Sequence, residues 1–149
     1  MLVKFAMETE PVRVSSTARL RTILEAILGS DQDAAMVVDE AGNLLGLVGI
    51  HDVLRQIVPK YLDLDANLAK VMHKSYFDEV FAEQGDVTAT DLMSHGSEVE
   101  TVSPDDAVIK AAALFVEHRR KILPVVEGSR VVGVITRRSV LRRVLEKLG

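Results

Sequence analysis

The residues best suited to chemistry lie near the C-terminus. Thr136-Arg137-Arg138-Ser139 sets two hydroxyls and two guanidinium groups where an apolar run, Val131 to Ile135, gives way to a helical pattern. A helix N-terminus leaves backbone N–H groups unpaired and carries the positive end of the helix dipole, so it suits a phosphate or carboxylate. Arg119, Arg120 and Lys121 add three cations just ahead of Leu123 to Val126. Asp52 heads an earlier helical stretch, where an ionised carboxylate can accept two hydrogen bonds from a diol. Each of these residues also has a plainer use. Thr136 as an N-cap contributes about 1 kcal/mol to its helix, Asp52 suits the first turn of a helix dipole, and the basic side chains can simply cover a solvated face. Both readings stand at this point.

Catalysis finds no support in these residues. No nucleophile, base and orienting acid form a constellation. His51, His73, His95 and His118 are spread without ligand-like spacing, and the absence of cysteine removes disulfides and thiolate metal sites. Gly42, Gly46 and Gly49 do not form a phosphate loop followed by lysine. The expectation is a binding protein that is not an enzyme, with no metal and no covalent cofactor.

The elements that must position these residues occur twice. Val125 to Leu141 (VVEGSRVVGVITRRSVL) aligns with Val37 to Leu54 (VVDEAGNLLGLVGIHDVL), with one extra turn residue in the first copy. Upstream, a constant offset of 88 maps Val14 on Val102, Ser15 on Ser103 and Leu20 on Val108, and Phe5-Ala6-Met7 corresponds loosely to Asp91-Leu92-Met93. Each copy reads β-α-β-β-α: a short strand, a hydroxyl-capped amphipathic helix, two β-branched strands joined by a turn, and a closing helix. The caps are expected at Ser15-Ser16-Thr17 and at Ser103-Pro104-Asp105, the latter with proline at the helix start, and Ala107, Val108, Ala111, Ala112, Phe115 and Val116 form the second helix's apolar face. Such repetition sets an α/β (α+β) architecture of two units, residues 1–59 and 86–149, around a helical insert at 60–85. The insert carries Tyr76, Phe77 and Phe81, an apolar face for the core or for a second subunit.

Charge divides the units. The chain of 149 residues has a formal charge of -4, but residues 1–100 hold eight Lys/Arg against 17 Asp/Glu, whereas 101–149 hold ten against five. The second unit is therefore the one that draws an anion. The first-unit loop at the position of Arg119 to Lys121 is Asp31-Gln32-Asp33, which would repel one, so a phosphate-bearing ligand is expected in a second-unit cleft. The acidic total disfavours nucleic acid as the partner, although Arg137, Arg138, Arg142 and Arg143 offer a basic strip. No apolar run approaches the roughly 20 residues that span a bilayer, and the N-terminus does not resemble a signal peptide, so a cytoplasmic location is expected.

Taken together, Asp91-Leu92-Met93-Ser94, Val102-Ser103-Pro104-Asp105, Leu123-Pro124-Val125-Val126 and Gly133-Val134-Ile135-Thr136, with the weaker copy at Val37-Val38-Asp39 and Gly46 to Asp52, resemble the tandem CBS (cystathionine beta-synthase) domain pair. The resemblance covers nearly all of the chain except 60–84. It implies two units related by a pseudo-twofold axis, sheets packed together, and clefts that hold AMP, ADP, ATP or S-adenosylmethionine as regulatory ligands. It also implies a homodimer; such pairs are usually fused to the enzyme, transporter or kinase they regulate, whereas here a separate effector protein is expected. Ligand-binding relatives carry a hydroxyl beside phosphate and, three residues on, a carboxylate on ribose. Here the second copy has Thr136 but Ser139 in the carboxylate's place, and the first has Asp52 but Gly49 in the hydroxyl's. Relatives also place ligand contacts at the positions of Thr101 and of Arg120 and Lys121. The expected binding residues are therefore Asp52, Thr101, Arg120, Lys121, Thr136, Arg137, Arg138 and Ser139. The alternative is a ligand-free interaction module, its clefts filled by side chains and its insert docked on a partner.

Overall fold

The computed structural model describes residues 1–58, 82–118 and 120–149. The first unit runs β1 (Arg13–Ser15), α1 (Leu20–Leu28), β2 (Ala34–Val38), β3 (Leu44–Gly49) and α2 (Ile50–Ile57). The second is preceded by α3 (Ala89–Leu92), β4 (Ser94–His95) and a 3-10 turn at Gly96–Glu98, and continues with α4 (Val108–Glu117), β5 (Ile122–Glu127), β6 (Arg130–Thr136) and α5 (Arg137–Leu148). The helical reading of 60–85 falls, apart from 82–85, outside the described residues, as does Arg119.

In the first sheet β1 runs parallel to β2, which pairs antiparallel with β3. The second unit repeats this pattern: Val102 bridges Val125 in parallel and β5 pairs antiparallel with β6. Even the irregularities repeat, with register shifts at Val37/Val38 and Val125/Val126 and turns closed by Gly42 (φ 86) and Gly128 (φ 63). Those φ values belong to the left-handed region that only glycine occupies without strain.

In each unit the outer edge of the last strand is paired by the other unit's approach segment, as a strand in the first sheet and as a single bridge in the second. β3 pairs with β4 through Gly46↔His95 and Leu47↔Ser94, whereas β6 takes Glu8, exchanging hydrogen bonds of 2.8 and 2.9 Å between Glu8 and Val134. Two glycines make this crossing fit. A Cβ on Gly46 would lie 2.4 Å from the Ser94 carbonyl oxygen, and one on Gly133 would lie 2.8 Å from that of Glu8.

The crossing also explains where α1 and α4 begin. The sequence suggests caps at Ser15-Ser16-Thr17 and Ser103-Pro104-Asp105, but α1 starts at Leu20 and α4 at Val108. Both hydroxyl stretches are turns whose carbonyls receive the crossing segment. Ser16 and Ala18 accept from the N–H groups of Thr90 and Ala89, and Pro104 and Asp106 from those of Lys4 and Val3. A carbonyl used in this way is not available to start a helix.

Three cores follow. Val14, Ile23, Ile27, Val37 and Val48 pack with Ala89 and Leu92 from the later segment. Val102, Phe115, Leu123 and Ile135 pack with Val3 and Ala6 from the N-terminus. Met36, Val131 and Val134 join the two sheets. At the sheet ends Leu44 N–H donates to Ser129 and Val131 N–H to Gly42, so the two hairpin turns are tied together. Ile109 and Val116, by contrast, are 75% and 80% exposed. Val116 thus leaves the buried face that helical spacing assigns to it, because Ala111 and Phe115 are the α4 residues facing the core.

Candidate functional site

The register of β5 on β6 pairs Ile122 with Thr136, so the chain entering β5 lies beside the N-terminus of α5. Lys121, Thr136, Arg137 and Arg138 thereby come together around a cleft of about 300 Å³. The first unit has the same design, with Ala34 opposite Gly49 and Ile50 N–H donating to the Asp33 carbonyl. Its entry loop, Asp31-Gln32-Asp33, lines the same cleft. The joined sheets thus bring both entry loops, one acidic and one basic, to one opening.

Two polar residues of the cleft, Glu8 and Gln32, are not among the expected binding residues. Glu8 is carried there by its pairing with Val134, and its carboxylate accepts from Arg142 Nη1 at 3.1 Å and from Gln32 Nε2 at 3.2 Å. Gln32 is buried, its amide donating also to the Glu10 carbonyl at 3.1 Å and accepting from Val12 N–H at 3.2 Å. The correspondence of the two approach segments was the available signal for Glu8. For Gln32 there was none, since burial of a loop glutamine depends on three backbone segments meeting.

The other expected residues are placed differently. Ser139 is buried beneath the first turn of α5, its Oγ accepting from Thr136 N–H at 2.9 Å and donating to the Thr136 carbonyl at 3.0 Å, while Thr136 Oγ1 accepts from Ser139 N–H at 3.0 Å. This is a reciprocal capping box. Asp52 plays half of that role in α2, accepting from Gly49 N–H at 2.7 Å, and glycine has no side chain to reciprocate. Arg120 turns away from the cleft lining to donate to Glu100 at 3.0 Å, and Glu100 also pairs with His118. Desolvation raises the Glu100 carboxyl, but the hydrogen bonds from Arg120 and His118 outweigh it and hold the group below its ordinary range. Thr101 is half-buried ahead of Val102 and does not line the cleft.

Chemically, the cleft can bind charge and hydrogen-bond donors. Among the described residues no group of three or more His, Cys, Asp or Glu is placed to hold a metal ion. No described helix is long and apolar enough to cross a membrane.

The comparisons agree on one family. The CBS domain model matches residues 3–59 and 87–146. The fold is similar to that of a CBS domain-containing protein of unknown function from Kribbella flavida, at 29% identity and TM-score 0.77, over 97% of this chain and 99% of that one. It is also similar to CBSX2 in complex with AMP (22% identity, TM-score 0.75, 99% and 98% covered). A third likeness is to a CBS domain pair in complex with 5'-methylthioadenosine and S-adenosyl-L-methionine (20% identity, TM-score 0.72, 99% and 98% covered). No curated protein matches the sequence.

Proposed function

The chain belongs to the CBS domain family, and from that premise we propose that it is a regulatory module binding an adenine nucleotide or related adenosyl ligand in the cleft between its units. The observation that carries this reading is the gathering of Lys121, Arg137 and Arg138 around the start of a 12-residue helix, beside the second unit's entry loop. Unpaired N–H groups and guanidinium forks at one helix end form a ready anion site. The AMP complex of one structural neighbour and the S-adenosylmethionine complex of another support the ligand class. The module performs no reaction itself, and its output passes to a separate protein.

The same reading makes it a homodimer whose geometry carries the signal. Ile109 on α4 and Leu148 on α5 are 75% and 79% exposed, and they line an apolar groove that also takes in Met1, Ala112 and Val144. Covering such a face removes apolar area from water at roughly 25 cal/mol per Å². A second copy supplies the matching apolar face, so Ile109→Glu with Leu148→Glu is expected to yield a monomer by light scattering. An unaltered mass for that variant would exclude this face.

Calorimetry against AMP, ADP, ATP and S-adenosylmethionine tests the ligand reading. Arg138→Ala is expected to weaken the ligand about tenfold, since a hydrogen bond to a charged group contributes about 1.5–3 kcal/mol. Asp52→Ala should leave affinity at this cleft unchanged. If none of the compounds binds or moves the melting temperature, the chain is a ligand-free interaction module instead.

A further inference from the structure

The cleft at the start of α5 carries both signs of charge, and the two signs come from different units. Lys121, Arg137 and Arg138 belong to the second unit, Asp31 and Asp33 to the first. Glu8 and Arg142 lie in the same lining but neutralise each other at 3.1 Å. Among the described residues, none of the other five enters an ion pair. Three cations and two carboxylates therefore share an opening of about 300 Å³ without meeting.

The acidic side is held in place. Gln32, between the two aspartates, is 7% exposed and bonded to Glu8, Glu10 and Val12. Ser30 Oγ accepts from Gln32 N–H at 3.0 Å, and the Asp33 carbonyl takes the first N–H of α2. Asp31 and Asp33 thus stand on an anchored loop while their carboxylates remain exposed.

Opposite charges kept apart in a cleft maintain a field between them, and a partly buried site screens that field less than bulk water does. A purely anionic ligand is attracted at one side and repelled at the other. A ligand with separated charges of both signs is favoured at both. Resting on the adenosyl reading above, we infer that Asp31 and Asp33 make this cleft selective for an adenosyl ligand that carries a sulfonium or ammonium beside its anionic group, over a nucleotide whose charges are all phosphate.

The test is calorimetry on the full chain with S-adenosylmethionine, AMP and the uncharged 5'-methylthioadenosine, comparing wild type with Asp31→Asn/Asp33→Asn. The wild type is expected to bind S-adenosylmethionine about tenfold more tightly than AMP. In the double variant S-adenosylmethionine should weaken about tenfold, AMP should hold or tighten, and 5'-methylthioadenosine should not move. Both aspartates are exposed, and an unchanged melting temperature shows that the variant folds. Tighter AMP than S-adenosylmethionine in the wild type, or a ratio the substitutions leave unaltered, overturns the selectivity but keeps the adenosyl site. Failure of all three compounds to bind overturns the adenosyl reading and the selectivity with it.

Discussion

Gly133 has a side to which no atom can be added cheaply. A Cβ there would meet both the Glu8 carbonyl oxygen and the Met7 sulfur at 2.8 Å, and backbone on a paired strand cannot swing aside as a surface side chain can. Gly133→Ala is expected to cost about 1–3 kcal/mol by urea denaturation, the usual range for overpacking. The residue types that stand out in the sequence do not include this glycine's partner, because Met7 and Glu8 lie 126 and 125 positions earlier. Thr136 and Ser139 were legible as a cap or as ligand contacts. Their reciprocal hydrogen bonds add the cap as a structural fact, and the ligand role stays a proposal.

At the scale of elements, the repeated strands and closing helices were readable because β-branched runs, turn glycines and hydroxyl or acidic helix starts each have a local physical cause. The closing helix, Arg137–Leu148, starts where the apolar run Val131 to Ile135 gives way to a helical pattern in the sequence. The starts of α1 and α4 were not readable, since the carbonyls that delay them are claimed by residues 71 or more positions away in sequence. The turn before α4 has its own test. Asp106 accepts from Ser103 N–H at 2.8 Å and, second in weight, from Lys110, and these bonds hold its carboxyl below the ordinary 3.8. A depressed folded value means that the contribution is complete above the unfolded value and disappears as pH falls through the folded one. Asp106→Asn should therefore lower the melting temperature at neutral pH and leave a smaller gap from wild type in strong acid, as followed by circular dichroism.

Across the whole molecule, the crossing of approach segments ties the two units into one cooperative structure. Val3 has no exposed surface and packs with Val102, Leu123 and Ile135, so Val3→Ala removes contacts from a core that is otherwise built from the chain's far end. The expected loss is about 1–3 kcal/mol. Calorimetry should show one transition shifted as a whole; a second-unit peak melting separately would contradict such coupling. The sequence announced two similar units, and only the paired hydrogen bonds of Glu8 and Val134, matched by Leu47 and Ser94, show that neither unit closes its sheet alone.

That exchange bears on the order in which a ribosome delivers the chain. The first unit's strands emerge early, but their sheet waits for Ser94–His95 before its outer edge is paired. Val3 to Glu8 wait longer still, because the strand that receives Glu8, Arg130–Thr136, follows them by more than 120 residues in the chain. An unpaired strand edge is a template for wrong partners. The nascent chain therefore carries Val3 to Glu8 as an unclaimed edge piece until Arg130–Thr136 has emerged, and pulse-labelled nascent chains should acquire protease resistance only close to the emergence of that strand.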